Sequence, residues 1–212
     1  MERGQDICYT EIEKTDAYIY DKVEMKVRVE EIYEVVIKDL DGISFIKKAV
    51  APYIKDFSGH ANYKRWNQQF DLSNWHFFMA FDGEKPVGGA VLCCHCAELH
   101  MLEGREDLGI PWDIRVDSAY KRRGVGGKLF DMVKTKAKEL GLCQLKIECQ
   151  NNNVPAAAFY FKQGAHLGAV NRYAYAYYGD ADEAEEVQLL LYLDLDKEHK
   201  ALLDREEYLK CM

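Results

Sequence analysis

The chain has 212 residues, 48% of them hydrophobic and 12% aromatic: enough for one domain with a substantial core, cramped for two, and incompatible with disorder of the bulk. A formal net charge of −8 argues against nucleic acid as the main partner and mildly favours a cationic one. No apolar run approaches the roughly 20 residues of a membrane span, the N-terminal stretch lacks a signal-peptide core, and seven irregularly spaced cysteines suit reduced thiols. The expectation is a cytoplasmic protein with no membrane partner.

In chain order, residues 17–37 carry Val and Ile at alternating positions around 23–29, which predicts a strand; over Val29–Ile37 the pattern suits strand or helix. Asp41-Gly42 is a turn signal, Pro52–Gly59 reads as loop, and Asn62–Phe70 as a short helix. Trp75–Phe81 and Val87–Cys96 flank Asp82-Gly83-Glu84-Lys85-Pro86 as a hairpin, and Leu99–Pro111 reads as loop. Ile114 and Val116 belong to a strand, followed by a helix with Leu129, Val133, Ala137 and Leu140 on one face and Gly141 as its stop. Gln144–Gln150 alternates as a strand with Leu145, Ile147 and Cys149 on one face. Leu167–Tyr178 and Val187–Leu195 predict an antiparallel pair across the acidic loop Asp180–Glu186, and 196–212 a charged terminal helical tail. One domain over 1–195 is expected, with a mixed, mostly antiparallel sheet of α/β (α+β) class and helices on its faces.

Between the strand at Val116 and the following helix lies Lys121-Arg122-Arg123-Gly124-Val125-Gly126-Gly127. Strand, glycine-rich turn and helix N-terminus together hold a pyrophosphate: glycines admit the anion to the backbone, and converging amides and the helix dipole attract it. A P-loop is excluded because Leu129 follows Gly126-Gly127-Lys128 and no glycine stands at the earlier position. A dinucleotide fingerprint is excluded because position 129 is not glycine. About thirty residues on, Asn153 serves as an N-cap with Pro155 in the first turn, Gly164 ends the helix, and Asn153, Ala156 and Tyr160 share a face.

With both segments read, the chain resembles the GNAT superfamily of acyl-CoA-dependent N-acetyltransferases. That family's pyrophosphate loop, Gln/Arg-x-x-Gly-x-Gly/Ala, corresponds to Lys121-Arg122-Arg123-Gly124-Val125-Gly126, with Lys in place of Gln/Arg. Its later signature, Asn-x-x-Ala-x-x-Phe/Leu-Tyr-x-x-x-Gly-Phe, is matched by Asn153, Ala156, Phe159, Tyr160 and Gly164, with Ala165 replacing the final Phe. Glu148–Asn153, Leu191-Tyr192-Leu193 and Asp113-Ile114-x-Val116 resemble the streptothricin acetyltransferase branch. The similarity is good over 112–195, thinner over 43–95 and negligible over 1–42.

The resemblance implies splayed central strands that accept the pantetheine arm of acetyl-CoA as an added strand, with Ile114, Arg115 and Val116 along it. A backbone N–H around Arg115 or Val116 then stabilises the thioester oxyanion. Lys121, Arg122, Arg123, Gly124, Val125, Gly126 and Gly127 hold the pyrophosphate, Asn153, Ala156 and Phe159 flank the arm, and Tyr160 protonates the departing thiolate. An alkylammonium with a pKa of about 10 must lose a proton before it attacks. Glu148 is the lead candidate for the base, an ordinary solvent-side glutamate being its alternative. Asp113, Trp112 and Trp75 are candidates for the acceptor site.

Cys93-x2-Cys96-x3-His100 offers three ligand-type residues without a second pair, so buried apolar cysteines are expected and no metal. A small cationic amine is the expected acceptor, in a monomer or homodimer; a protein or peptide amine, and a non-catalytic acyl-CoA-binding module, are the alternatives.

Overall fold

The computed structural model describes residues 6–58, 61–176 and 185–196. Its strands are β1 (Cys8–Ile12), β2 (Lys26–Ile37), β3 (Ile43–Asp56), β4 (Trp75–Asp82), β5 (Lys85–Cys93), β6 (Leu108–Val116), β7 (Gln144–Gln150), β8 (His166–Asn171) and β9 (Gln188–Asp194). The α-helices are α1 (Tyr63–Gln69), α2 (Val125–Glu139) and α3 (Val154–Lys162). The class is mixed α/β with mostly antiparallel pairing, as the sequence predicts. Two compact units are formed. One holds the described residues up to Met25, Asp56–Lys146 and those from Asp194; the other holds Lys26–Lys55 and Ile147–Leu193.

In the first unit β1, β4, β5 and β6 pair antiparallel, and β7 starts parallel to β6 at Leu108↔Gln144 and Gly109↔Leu145. Two adjacent glycines in β5 let layers close on both faces, because successive strand residues point to opposite sides. A Cβ at Gly88 would meet Val125 and Leu129 of α2 at 3.0 and 3.1 Å, whereas one at Gly89 would lie 2.4 Å from the Tyr20 ring. The Tyr20 side of the sheet buries Trp66, Trp75, Phe77, Met79 and Ile110; Leu129, Phe130, Val133 and Ala137 of α2 are buried too. The amphipathic spacing read from the sequence is therefore the packed face of α2.

The second unit contains the two-stranded sheet β2-β3, the later residues of β7, β9 lying between β7 and β8, and α3. Asn151 ties these pieces together by imitating backbone. Its carbonyl accepts from Tyr33 N–H (2.9 Å), its amide side chain donates to Tyr33 O (2.9 Å), and its Oδ1 accepts from Val187 N–H (2.9 Å).

Several local expectations change. Residues 29–37, open between strand and helix, are strand throughout; β-branched residues dominate β2 and pack well on a pleat. The loop expected over 52–59 is strand as far as Asp56, Pro52 being tolerated because a two-stranded sheet leaves β3 one unpaired edge. Lys14–Lys22 forms a 3-10 helix for which the sequence pattern gives no signal. Leu99–Pro111 contains a short 3-10 turn and the first residues of β6. The strand expected over 167–178 ends at Asn171 in turns through Ala176. Tyr177, Tyr178, the loop residues 180–184 and the tail beyond 196 lie outside the described residues. Among the described residues no helix is long and apolar enough to cross a membrane.

Candidate active site

The glycine-rich turn is built in the first unit. After β6, Asp117 caps a 3-10 turn by accepting from Ala119 N–H (2.9 Å). Arg122 and Gly124 then take left-handed conformations (φ 65° and 86°), and α2 begins. Glycine tolerates that φ freely, whereas an arginine there is held by its surroundings. Gly124 is the N-cap and supplies no side-chain cap, and the first turn of α2 contains no acidic residue. The first intrahelical bond runs from Lys128 N–H to Gly124 O (3.0 Å). The amides of Val125, Gly126 and Gly127 therefore precede the hydrogen-bonded ladder, at the positive end of a 15-residue helix.

Packing does not explain these glycines. A Cβ at Gly124 or Gly127 would meet nothing within 4 Å, and one at Gly126 would touch Val116 at an ordinary 3.6 Å. Gly127 in the first turn of a helix costs some part of the roughly 1 kcal/mol that separates glycine from alanine in a helix interior. Open space in front of uncapped amides fits a pyrophosphate. Around the turn, Arg123 lies over the Tyr120 ring at 5.3 Å, and Tyr120 donates to Asp82 (2.6 Å). Partial burial pulls the Lys121 ammonium below its usual pKa.

Strand β6 brings Ile114, Arg115 and Val116 to this turn. Asp117 N–H donates to Val87 O (2.9 Å), and Arg115 pairs with Gly89. Strand alternation then directs the main chain of Arg115 toward β5 and the Val116 amide to the opposite edge. A bulge between Val91 and Leu92 leaves Trp112 without a register partner. Bulges bend a strand and re-aim a side chain. Trp112 is half-buried, edge-on to Phe70 (5.5 Å) and tilted against Trp75 (5.3 Å).

Two acceptor-site expectations are corrected. Trp75 is 1% exposed, stacked on Phe70 and Phe77, and so is a core residue. Asp113 is buried, with Oδ2 paired to Arg115 and Oδ1 facing no hydrogen-bond donor among the described residues, and this burial rather than an open carboxylate sets it apart from an acceptor contact. Burial lifts the Asp113 carboxyl above its usual range, against the pull of the Arg115 guanidinium.

Within the second unit, Asn153 caps α3 by accepting from Ala156 N–H (3.3 Å), as its spacing predicts. Tyr160 is 5% exposed, its ring 5.2 Å from that of Phe159, which with Ala156 is half-buried. Glu148 is half-buried and accepts a 2.6 Å hydrogen bond from the Tyr175 hydroxyl. Sequence reasoning missed Tyr175, which lies in turns 27 residues away and belongs to no motif. Burial, then the neighbouring Glu148 charge, pushes the Tyr175 phenol far above its usual pKa, so it remains a donor. Beside them Asn152 donates to Glu186 (2.8 Å), which also pairs with Lys55.

Cys93, Cys94 and Cys96 are buried, and burial lifts the Cys94 thiol to about 11. Among the described residues no group of three His, Cys, Asp or Glu side chains could hold a metal ion.

Comparison with known proteins adds to this geometry. The profile of the acetyltransferase (GNAT) family matches residues 44–165. Streptothricin acetyltransferase A of Bacillus subtilis (strain 168) is 37% identical over 71 residues, 34% of this chain and 41% of that enzyme. The match to that relative thus spans less than half its length. Streptothricin acetyltransferase of Escherichia coli is 26% identical over 147 residues, covering 69% of this chain and 74% of the relative. Among solved structures, nourseothricin acetyltransferase superposes with TM-score 0.70 at 21% identity, over 90% of this chain and 99% of its own. The putative streptothricin acetyltransferase from Bacillus anthracis str. Ames, in complex with acetyl coenzyme A, gives 0.69 at 24% identity, over 92% and 100%.

Proposed function

Because the chain belongs to the acetyltransferase (GNAT) family, we propose that it transfers the acetyl group of acetyl-CoA to a primary amine of a small cationic acceptor, streptothricin-like in kind. The carrying observation is the start of α2: a left-handed glycine N-cap without a side-chain cap, no acidic residue in the first turn, and open space at Gly124 and Gly127. The names of the relatives support the acceptor class.

Acetyl-CoA supplies a thioester whose carbonyl is open to attack by a neutral amine. The amides of Val125, Gly126 and Gly127, with Lys121 and Arg123 beside them, neutralise the pyrophosphate. Val116 N–H donates to the carbonyl oxygen as negative charge develops there. Ile114 in the first unit, and Asn153, Ala156 and Phe159 in the second, are the residues that would contact the pantetheine. Glu148 takes the proton from the acceptor ammonium, directly or through water, and Tyr160 O–H delivers one to the departing thiolate. Trp112 is the aromatic residue retained for the acceptor.

Tyr175 holds the Glu148 carboxylate in one orientation. Hydrogen bonds to charged groups contribute about 1.5–3 kcal/mol, so Tyr175→Phe is expected to lower kcat by roughly tenfold or more. The acetyl-CoA Kd stays within twofold. Steady-state kinetics with a binding titration checks both; an unchanged kcat removes Tyr175 from the account.

The reading itself is tested by mass spectrometry of streptothricin, polyamines, aminoglycosides and N-terminal peptides after incubation with protein and acetyl-CoA. Monoacetylated streptothricin or another small amine supports it. Acetylation confined to peptides favours the protein-amine alternative, and acetyl-CoA binding with no acetylated amine favours the non-catalytic one.

A further inference from the structure

Asp113 and Arg115 are two apart on β6, so their side chains share a face of the strand. Both are almost wholly buried, at 5% and 3% exposure. Arg115 Nε donates to Asp113 Oδ2 (2.9 Å) and Nη2 donates to the same oxygen. The guanidinium then reaches two main-chain carbonyls far apart in sequence: Nη1 donates to Val23 O (3.1 Å) and Nη2 to Ala61 O (2.7 Å). Its central carbon lies over the Tyr20 ring, 4.4 Å from the centroid. Tyr20 can occupy that place because its neighbour in β5 is Gly89.

The positions of those two carbonyls matter. The chain leaves the first unit after Met25 and re-enters it at Asp56, so Val23 stands just before the exit and Ala61 just after the return. Other bonds close the same neck. Phe57 N–H donates to Met25 O (2.9 Å), Met25 N–H to Ser58 Oγ (3.1 Å) and Tyr63 N–H to Asp21 Oδ1 (2.8 Å). Only a planar fork with several donors spans a carboxylate and two carbonyls at once; a lysine ammonium at the same place is a point charge.

We propose that Arg115 is a positioning residue: it clamps the exit and return points of the chain to β6 and thereby fixes the strand carrying the Val116 amide. Asp113 supplies the counter-charge that lets the guanidinium be buried. The catalytic consequence rests on the function proposed above, because it needs Val116 N–H to act on the thioester oxygen; the clamp does not. The pyrophosphate amides at the α2 N-terminus lie outside the clamp, so turnover is expected to fall by a larger factor than acetyl-CoA affinity.

The test uses the full chain with Arg115→Lys, and Asp113→Asn as a second variant that keeps the side-chain shape. Hydrogen exchange followed by mass spectrometry is compared with wild type, alongside kinetics and an acetyl-CoA titration. Exchange at the Met25 and Phe57 amides is expected to accelerate tenfold or more, with Phe78 and Ala90 of the β4–β5 pair unchanged. Turnover is expected to fall at least tenfold, and by a larger factor than acetyl-CoA affinity. Unchanged exchange at Met25 and Phe57 in a folded variant overturns the clamp. Accelerated exchange with kcat within twofold of wild type overturns the positioning role. If the wild-type protein acetylates no amine, the function proposal fails, and the exchange data still decide the clamp.

Discussion

Tyr160→Phe is expected to lower turnover by about 10²–10⁴-fold while the acetyl-CoA Kd changes little. A positioned general acid contributes on that order, and the substitution removes one oxygen from a side chain only 5% exposed. The ring contact with Phe159 is kept by phenylalanine, so α3 and its Asn153 cap stay intact. A thiolate leaving without a proton donor is the step that slows. The effect is therefore confined to kcat, and steady-state kinetics beside a binding titration separates it from a folding defect. Turnover within threefold of wild type would remove Tyr160 from the acid role.

Gly124→Val combined with Gly126→Val is expected to abolish measurable acetyl-CoA binding. Valine at position 124 must adopt a φ of 86°, a conformation β-branched residues almost never take. At position 126 the new Cβ has ordinary contact with Val116, so the added methyl groups act mainly on the anion site. Gly127→Ala is the informative companion. Nothing lies within 4 Å of its Cβ, and in the first turn of a helix alanine is favoured over glycine by some part of the roughly 1 kcal/mol it gains in a helix interior. This variant should melt later than wild type yet bind acetyl-CoA more weakly. Calorimetry with titration checks the pair, and a double-valine variant that folds and binds normally places the pyrophosphate elsewhere.

The legible parts of the sequence were those in which a site is made by consecutive residues. The glycine N-cap that opens α2 and the Asn153 cap that opens α3 are each set by a few neighbouring positions, and the structure builds both locally. What the sequence hid depends on partners distant in the chain. Asp113 reads as an acceptor-site carboxylate because nothing in the sequence pairs it with Arg115, and the carbonyls that hold Arg115 lie 92 and 54 residues away. Trp75 read as a pocket wall because an aromatic residue at the start of a strand gives no sign of the Trp66, Phe70, Phe77 and Trp112 rings that enclose it. Tyr175 had no periodic or motif context, and its meaning comes from the bond to Glu148. The stretch 29–37 was undecidable by period because Ile32, Tyr33, Val35, Val36 and Ile37 are all half-buried, which blurs alternation.

Acetyl-CoA-dependent transfer to a small cationic amine liberates one thiol per turnover, and that thiol can be followed continuously. Purified protein is mixed with acetyl-CoA, and free CoA is followed with and without streptothricin, spermidine or an aminoglycoside. The expected release depends on one of these amines, saturates with its concentration, and vanishes when Gly124 and Gly126 are both valine. Release that is independent of every amine, or that persists in the double-valine protein, would contradict it.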